Sequence, residues 1–172
     1  TDATIQESDF SGVKFKKFNA PGVDFQASIF NGATFDDANL SSANFEEADF
    51  TSAKISNSRF DEANMMKAVM KEVQMDNVNL QKANLVNINL AGSKINNSAF
   101  FGVDIRGATL SQILVKECSF ESSDLSGIVS KGASFINTDF SQSIVDGARF
   151  TEDTKFDSAI FENASMKNAT LE

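Results

Sequence analysis

A large apolar residue recurs at every fifth position along most of this chain. The series begins at Ile5 and runs to Phe150, and of its 30 positions only Ala20 and Ser130 are small. An α-helix repeats its buried face about every 3.6 residues and a strand every second residue. A period of five therefore predicts neither regular element, but an internal repeat of short units.

A second phase of the repeat lies two residues before each large position, where the residue is mostly small. Ala38, Ala43 and Cys118 are examples. At the two exceptions the order is reversed, because Phe18 precedes Ala20 and Ile128 precedes Ser130. Exchanging a large and a small residue roughly conserves volume in a packed interior. Both phases are therefore predicted to face inward.

A third phase lies two residues after each large position and predicts a turn. All nine glycines occupy it: Gly12, Gly22, Gly32, Gly92, Gly102, Gly107, Gly127, Gly132 and Gly147. Five asparagines share it: Asn57, Asn77, Asn87, Asn97 and Asn137. Glycine and asparagine tolerate a positive φ, so the backbone is expected to turn once in every five residues.

A chain that turns every five residues and points two side chains inward per unit can close into a square. Four units make one coil of about 20 residues, and stacked coils would hydrogen-bond at a spacing of about 4.8 Å. The 172 residues then form an all-β solenoid of about eight coils. Residues 1–172 are expected to be a single domain, built around a central column of large side chains in which phenylalanine is the commonest residue.

The repeat resembles that of the pentapeptide-repeat family, which reads A-(D/N)-L-x-x with leucine or phenylalanine at its centre. Matching units are 38–42 (ANLSS), 43–47 (ANFEE), 48–52 (ADFTS) and 83–87 (ANLVN). The resemblance covers essentially the whole chain. It implies a right-handed quadrilateral β-helix.

Two places interrupt the regular pattern. After Phe150 the large residues shift by one position, to Phe156, Phe161, Met166 and Leu171. One extra residue within 151–155 is predicted to form a local bulge, after which the repeat resumes. The only proline, Pro21, has no N–H group, and a ladder hydrogen bond is expected to be lost there.

Residues 20 positions apart should lie above one another, and one such row is made of aspartate and asparagine. It consists of Asp24, Asn44, Asn64, Asn84, Asp104 and Asp124. Stacked amides can hydrogen-bond along such a row, whereas the neighbouring carboxylates of Asp104 and Asp124 should repel each other. This row is the candidate interaction face.

The charged residues are distributed unevenly around the predicted square. The acidic pairs 36–37, 46–47 and 61–62 fall at three different corners and so form no single patch. The face opposite the Asp/Asn row instead carries Lys14, Lys54, Lys94 and Lys155. A lopsided rod of this kind can orient a partner. The net charge of −9 argues against direct binding of nucleic acid, which requires clustered Lys and Arg.

The residue types favour a protein without catalytic activity. The chain has no histidine, and its only cysteine, Cys118, falls in an inward-facing phase. No cluster of metal ligands and no cofactor motif occurs, so neither a metal nor a cofactor is expected. No apolar run is long enough to span a membrane, and no membrane insertion is expected. Phe101 is the only phenylalanine predicted to face solvent.

These observations predict a non-catalytic structural or protein-interaction scaffold, with a protein partner that the sequence does not identify. The family resemblance implies an alternative, because some pentapeptide-repeat proteins mimic duplex DNA and bind type II topoisomerases such as gyrase. Exposed coil ends favour end-to-end association of copies. The resemblance is compatible with bacterial cytoplasm, periplasm or the thylakoid lumen, and the sequence does not choose among them.

Overall fold

The chain forms a four-sided β-solenoid whose short strands are separated by turns. The structure, a computed structural model, describes residues 5–151 and 153–171. Its strands are β1 (Lys14–Lys16), β2 (Thr34–Asp36), β3 (Lys54–Ser56), β4 (Gln74–Asp76), β5 (Lys94–Asn96), β6 (Leu114–Lys116), β7 (Val129–Ser130), β8 (Ser134–Ile136), β9 (Arg149–Phe150), β10 (Lys155–Asp157) and β11 (Thr170–Leu171).

All strand pairings are parallel and join one coil to the next. Strands β1 to β6, β8 and β10 form an eight-stranded sheet, and β7, β9 and β11 form a three-stranded one. From β1 to β8 the partners in the larger sheet lie 20 residues apart, as in the pair Phe15 and Phe35. The right-handed quadrilateral β-helix of about eight coils predicted from the sequence is confirmed.

Two opposite sides of the square differ in the polar residues that they carry. We call the side formed by the eight-stranded sheet the lysine face, because the row that begins at Lys14 and continues through Lys54 and Lys94 lies on it. Half a coil away, isolated parallel bridges join the row from Asp24 to Asp124. We call that side the ladder face.

The backbone turns where the third phase of the repeat predicted, but glycine and asparagine are not required there. Gly92 has a φ of 72°, and Lys17 and Glu47 adopt 51° and 61° at equivalent positions. The N–H groups of these turn residues bond to the next coil, from Lys17 to the Asp36 carbonyl at 2.8 Å and from Glu47 to the Met66 carbonyl at 3.0 Å. These inter-coil bonds hold side-chain-bearing residues in a conformation that they otherwise avoid.

Phenylalanine rings stack along the central column from one coil to the next. The ring centroids of Phe15 and Phe35 are 4.7 Å apart at 8°, and those of Phe100 and Phe120 are 4.5 Å apart at 16°. Near the middle of the rod the methionines at 65, 70 and 75 fill the same column and are buried. Offset stacking of this kind adds to the burial of apolar surface.

The exceptions to the five-residue rule behave as volume exchanges. Ser130 is fully buried at a central position, and Ile128 is buried beside it. Ala20 is likewise buried, while half-buried Phe18 packs against the core. Phe101, at 38% exposure, is the one phenylalanine on the exposed surface of the described chain.

The coil spacing changes near the end of the chain. Phe156 pairs with Phe135 and Leu171 with Phe150, so these partners lie 21 residues apart instead of 20. The Thr154 N–H donates to the Thr151 carbonyl at 2.8 Å and closes the enlarged corner. The Phe156 ring still stacks on Phe135 at 5.3 Å, so the core column continues.

The hydrogen bond expected to be lost at Pro21 is not lost, and that prediction is wrong. The flanking N–H groups of Ala20 and Gly22 both reach the next coil at 2.9 Å. One coil later, the N–H of Ser41 at the equivalent position points to the Asn39 side chain instead of the ladder. Pro21 therefore occupies a position whose donor the ladder does not use.

Candidate functional site

The six residues of the predicted Asp/Asn row lie in one line on the ladder face. Parallel bridges join each member to the next, over five consecutive steps from Asp24 to Asp124. The coil geometry places them there, because each occupies the same position one full coil later. A row of identical spacing presents a repeating polar surface of the kind that a partner protein can bind.

Hydrogen bonds between side chains join the first four members. The Asn44 amide donates to Asp24 Oδ1 at 2.8 Å. The Asn64 amide donates to Asn44 Oδ1, and the Asn84 amide to Asn64 Oδ1, each at 3.0 Å. All four residues are half-buried. In this part of the ladder, each asparagine amide therefore donates to the residue one coil earlier in the chain.

The same side chains also stabilise the turns. Asp24 Oδ1 accepts the N–H of Gln26 at 3.1 Å, and Asp124 Oδ1 accepts that of Ser126 at 3.0 Å. Aspartate and asparagine commonly bond the backbone two residues on in this way. The signal in the sequence is an Asp or Asn two residues before the turn, and stacking along the row accounts for only part of its role.

Arg106 changes the expected repulsion between Asp104 and Asp124. Its guanidinium donates to both carboxylate oxygens of Asp104, at 2.8 Å through Nε and 2.6 Å through Nη2. Its Nε also lies 3.8 Å from Asp124 Oδ2. The cation thus sits between the two carboxylates and offsets their mutual repulsion.

These contacts lower the pKa of two carboxylates of the row, Asp24 and Asp104, and so favour their charged form. Hydrogen bonds from the Arg106 side chain lower the pKa of Asp104 below its ordinary value. Burial acts to raise the pKa of Asp24, but hydrogen bonds from Gln6, Gln26 and Asn44 outweigh it and the pKa is lowered. Both carboxylates therefore keep their negative charge in mildly acidic solution.

One row of the lysine face carries only cationic and neutral residues, whereas the row two positions on includes Asp36, Asp76 and Asp157. The row of Lys14, Lys54 and Lys94 alternates with Thr34 and Gln74 in consecutive strands. Lys155 continues it after the enlarged corner, in register with Ser134. The two faces lie half a coil apart in sequence, on opposite sides of the rod, so the rod is electrically asymmetric.

The remaining reactive groups within residues 5–151 and 153–171 are a buried thiol and dispersed carboxylates. Cys118 is buried, and burial raises the pKa of its thiol to about 11. In the described part of the chain no three His, Cys, Asp or Glu side chains gather closely enough to hold a metal ion. Nor does that part contain a helix with the length and apolar character needed to cross a membrane.

Comparisons with known proteins agree on the repeat. The family model for a pentapeptide repeat region matches residues 43–117. The model for eight copies of the pentapeptide repeat matches residues 8–46, 22–57 and 116–151. No curated protein matches the chain.

Several solved structures resemble the chain. A trypsin-treated form of QnrB1, a plasmid-mediated fluoroquinolone resistance protein, aligns with a TM-score of 0.64 and 11% identity over 99% of this chain and 90% of that one. At this identity the likeness concerns the fold alone.

Two further relatives come from photosynthetic organisms. HetL, a pentapeptide repeat protein involved in heterocyst differentiation regulation in the cyanobacterium Nostoc, is 17% identical over 99% of this chain and 92% of its own, with a TM-score of 0.44. A pentapeptide repeat protein of the Arabidopsis thaliana thylakoid lumen is 31% identical over 62% of this chain and 68% of its own, with a TM-score of 0.26. Both TM-scores are too low to support a structural argument. The family models and the four-sided coil together show that this chain belongs to the pentapeptide-repeat family.

Proposed function

We propose that this protein is a non-catalytic interaction scaffold that binds a partner protein through the ladder face. The observation that carries the proposal is the hydrogen-bonded row from Asp24 to Asn84, in which each amide is already oriented. Side chains fixed before binding lose little conformational entropy when a partner docks. The three carboxylates of the row, Asp24, Asp104 and Asp124, outnumber the one arginine that pairs with them, and the remaining negative charge favours a partner with basic side chains.

The chemistry of the chain supports a scaffold over an enzyme. Histidine, the commonest general acid and base, does not occur in the sequence. The only thiol is buried and has a raised pKa, which makes it a poor nucleophile. Stacked side chains fill the interior of the part of the chain that the structure describes, and that part offers no enclosed chamber for a substrate.

Asp24→Asn combined with Asp124→Asn tests the ladder face. Asparagine retains the Oδ1 acceptor that each turn requires, so the pair removes two charges and leaves the backbone bonds in place. Asp9→Asn combined with Asp139→Asn is a matched control, because both residues accept turn N–H groups in the same way on other sides of the rod.

The readout is the set of proteins cross-linked to each variant in extracts of the source organism. We expect the ladder pair to lose partners that the wild-type chain and the control pair retain. Identical sets from all three chains would contradict the proposal.

A second candidate function is mimicry of duplex DNA towards a type II topoisomerase. The net charge of −9 and the rod shape shared with QnrB1 support it. The lysine face opposes it, since a mimic requires negative charge around its surface. A gyrase supercoiling assay separates the candidates, because a mimic inhibits the reaction and a scaffold for another partner leaves it unchanged at high micromolar protein.

End-to-end association of copies remains part of the scaffold proposal. Met166 and Leu171 in the last described coil are exposed, at 38% and 69%. Exposed apolar side chains beside unpaired strand edges favour pairing with another chain. Light scattering over a range of concentrations tests this, and a strict monomer would contradict it.

A further inference from the structure

A groove of about 640 Å³ crosses the strands of the lysine face. One wall is the row Lys54, Gln74 and Lys94, and the other includes Asp76, Asn96 and Lys116. Strands β3, β4 and β5 each supply one residue to each wall, because side chains two apart on a strand project to the same side. Ile55 and Met75 between them are buried in the core, so the floor of the groove is the strand backbone.

The groove contains cations that the protein itself does not neutralise. Lys116 pairs with Glu117 at 3.2 Å. Lys54 and Lys94 have no carboxylate within 4.0 Å among the described residues. The groove's one other carboxylate, that of Asp76, accepts the Asn97 amide at 2.9 Å and stays charged, so the three lysines of the groove exceed its two carboxylates by one charge. Two ammonium groups therefore remain available to an external anion.

The spacing and the neighbouring amides favour a peptide over other anions. Lys54 and Lys94 lie two coils apart, or about 9.6 Å along the groove at the usual strand spacing. Three residues of extended polyproline II chain span about 9.3 Å and bring the fourth side chain back to the same side as the first. Gln74 lies between the two lysines in register with both, and its amide can both donate to and accept from a peptide bond.

We propose that this groove binds an extended acidic segment of a partner protein, with carboxylates at Lys54 and Lys94 and a peptide bond at Gln74. The net charge of −9 repels acidic ligands in general, so any such binding must come from local contacts. The proposal does not rest on the ladder face, which lies on the opposite side of the rod.

Fluorescence anisotropy of a labelled hexaglutamate peptide tests the proposal with the full chain. We expect saturable binding at low salt. Lys54→Gln combined with Lys94→Gln should weaken it about fivefold or more, as the loss of two ion pairs implies. The control, Lys14→Gln combined with Lys155→Gln, removes the same charge from the same row outside the groove and should change the affinity less than about twofold.

Three results would overturn the proposal. The first is the absence of saturable binding by the wild-type chain. The second is equal weakening by both lysine pairs, which would show a diffuse charge effect. The third is equally tight binding of an oligothymidylate of the same charge, because the groove would then recognise charge and not a peptide. Matching urea midpoints for the two double variants establish that both are folded. The Asp24 and Asp124 substitutions alter no groove residue, so failure of the scaffold proposal is detected separately.

Discussion

The rings of Phe25 and Phe45 lie 5.3 Å apart and only 6° from parallel, one coil above the other. Phe45 also contacts Phe30, Phe50 and Phe60. Its side chain is fully buried. It therefore connects stacked rings along the rod with rings from neighbouring sides.

Phe45→Ala should destabilise the protein by about 3–5 kcal/mol, because it removes a buried ring and leaves a cavity. The free energy of unfolding from urea denaturation measures this loss. Phe101→Ala removes the same ring from an exposed position and should cost less than about 1 kcal/mol. A loss below about 1 kcal/mol for Phe45→Ala would contradict its central placement.

Asn64→Ala tests the contribution of the amide ladder to stability. The side chain donates to Asn44 Oδ1 and accepts from the Asn84 amide, and it also accepts the Met66 N–H at 3.3 Å. Asn89 makes only the turn bond, to the N–H of Ala91 at 3.1 Å, and is equally half-buried. Asn64→Ala should therefore cost about 1 kcal/mol more than Asn89→Ala in urea unfolding. Equal costs would mean that the ladder bonds add nothing to the turn bond.

Arg106→Gln should reduce stability in a pH-dependent way. The pKa of Asp104 is lowered in the folded protein, mainly by the Arg106 hydrogen bonds. The stabilisation from this pair is therefore complete above the unfolded pKa of aspartate and is lost as the pH falls through the folded pKa. The urea midpoint of Arg106→Gln should lie below that of the wild type at neutral pH, and the two should converge in acid.

Arg149→Gln is the control for that measurement, since Arg149 has no carboxylate within 4.0 Å among residues 5–151 and 153–171. Its effect on the midpoint should not vary with pH in the acidic range. A pH-independent difference for Arg106→Gln would show that the arginine acts through packing instead of charge.

Gly107→Ala and Gly127→Ala separate backbone conformation from steric contact. The two glycines have φ values of 66° and 67° on the same side of the rod. A Cβ on Gly107 would lie 2.5 Å from Asn87 Oδ1, whereas one on Gly127 would meet nothing within 4 Å. Both variants should lose about 1 kcal/mol from the positive φ. The contact at Gly107 is with the end of the flexible Asn87 side chain, so Gly107→Ala should lose only a few tenths of a kcal/mol more, and this excess should disappear when Asn87→Ser is added.

The sequence was sufficient to predict those features of the fold that depend only on the position of a residue within the five-residue unit. The central column, the volume exchange at Ser130 and the row from Asp24 to Asp124 all follow from spacing alone. The bridging role of Arg106 could not be predicted in the same way, because it depends on the conformation of a long side chain. The error at Pro21 has a similar origin, since the period does not show which N–H groups serve the ladder and which serve side chains. The groove on the lysine face depends on how far Lys54 and Lys94 extend, which spacing does not determine.

The enlarged corner between Phe150 and Phe156 indicates how this architecture can evolve. In an ordinary strand, one inserted residue moves every later side chain to the other face. Here the insertion falls in a turn, and Phe156 still stacks on Phe135. The number of residues in a coil can therefore change while the stacked side chains of the core stay in line. Corners of this kind are places where the rod can acquire new segments, by natural insertion or by grafting of a peptide, without disturbing the stack beneath them.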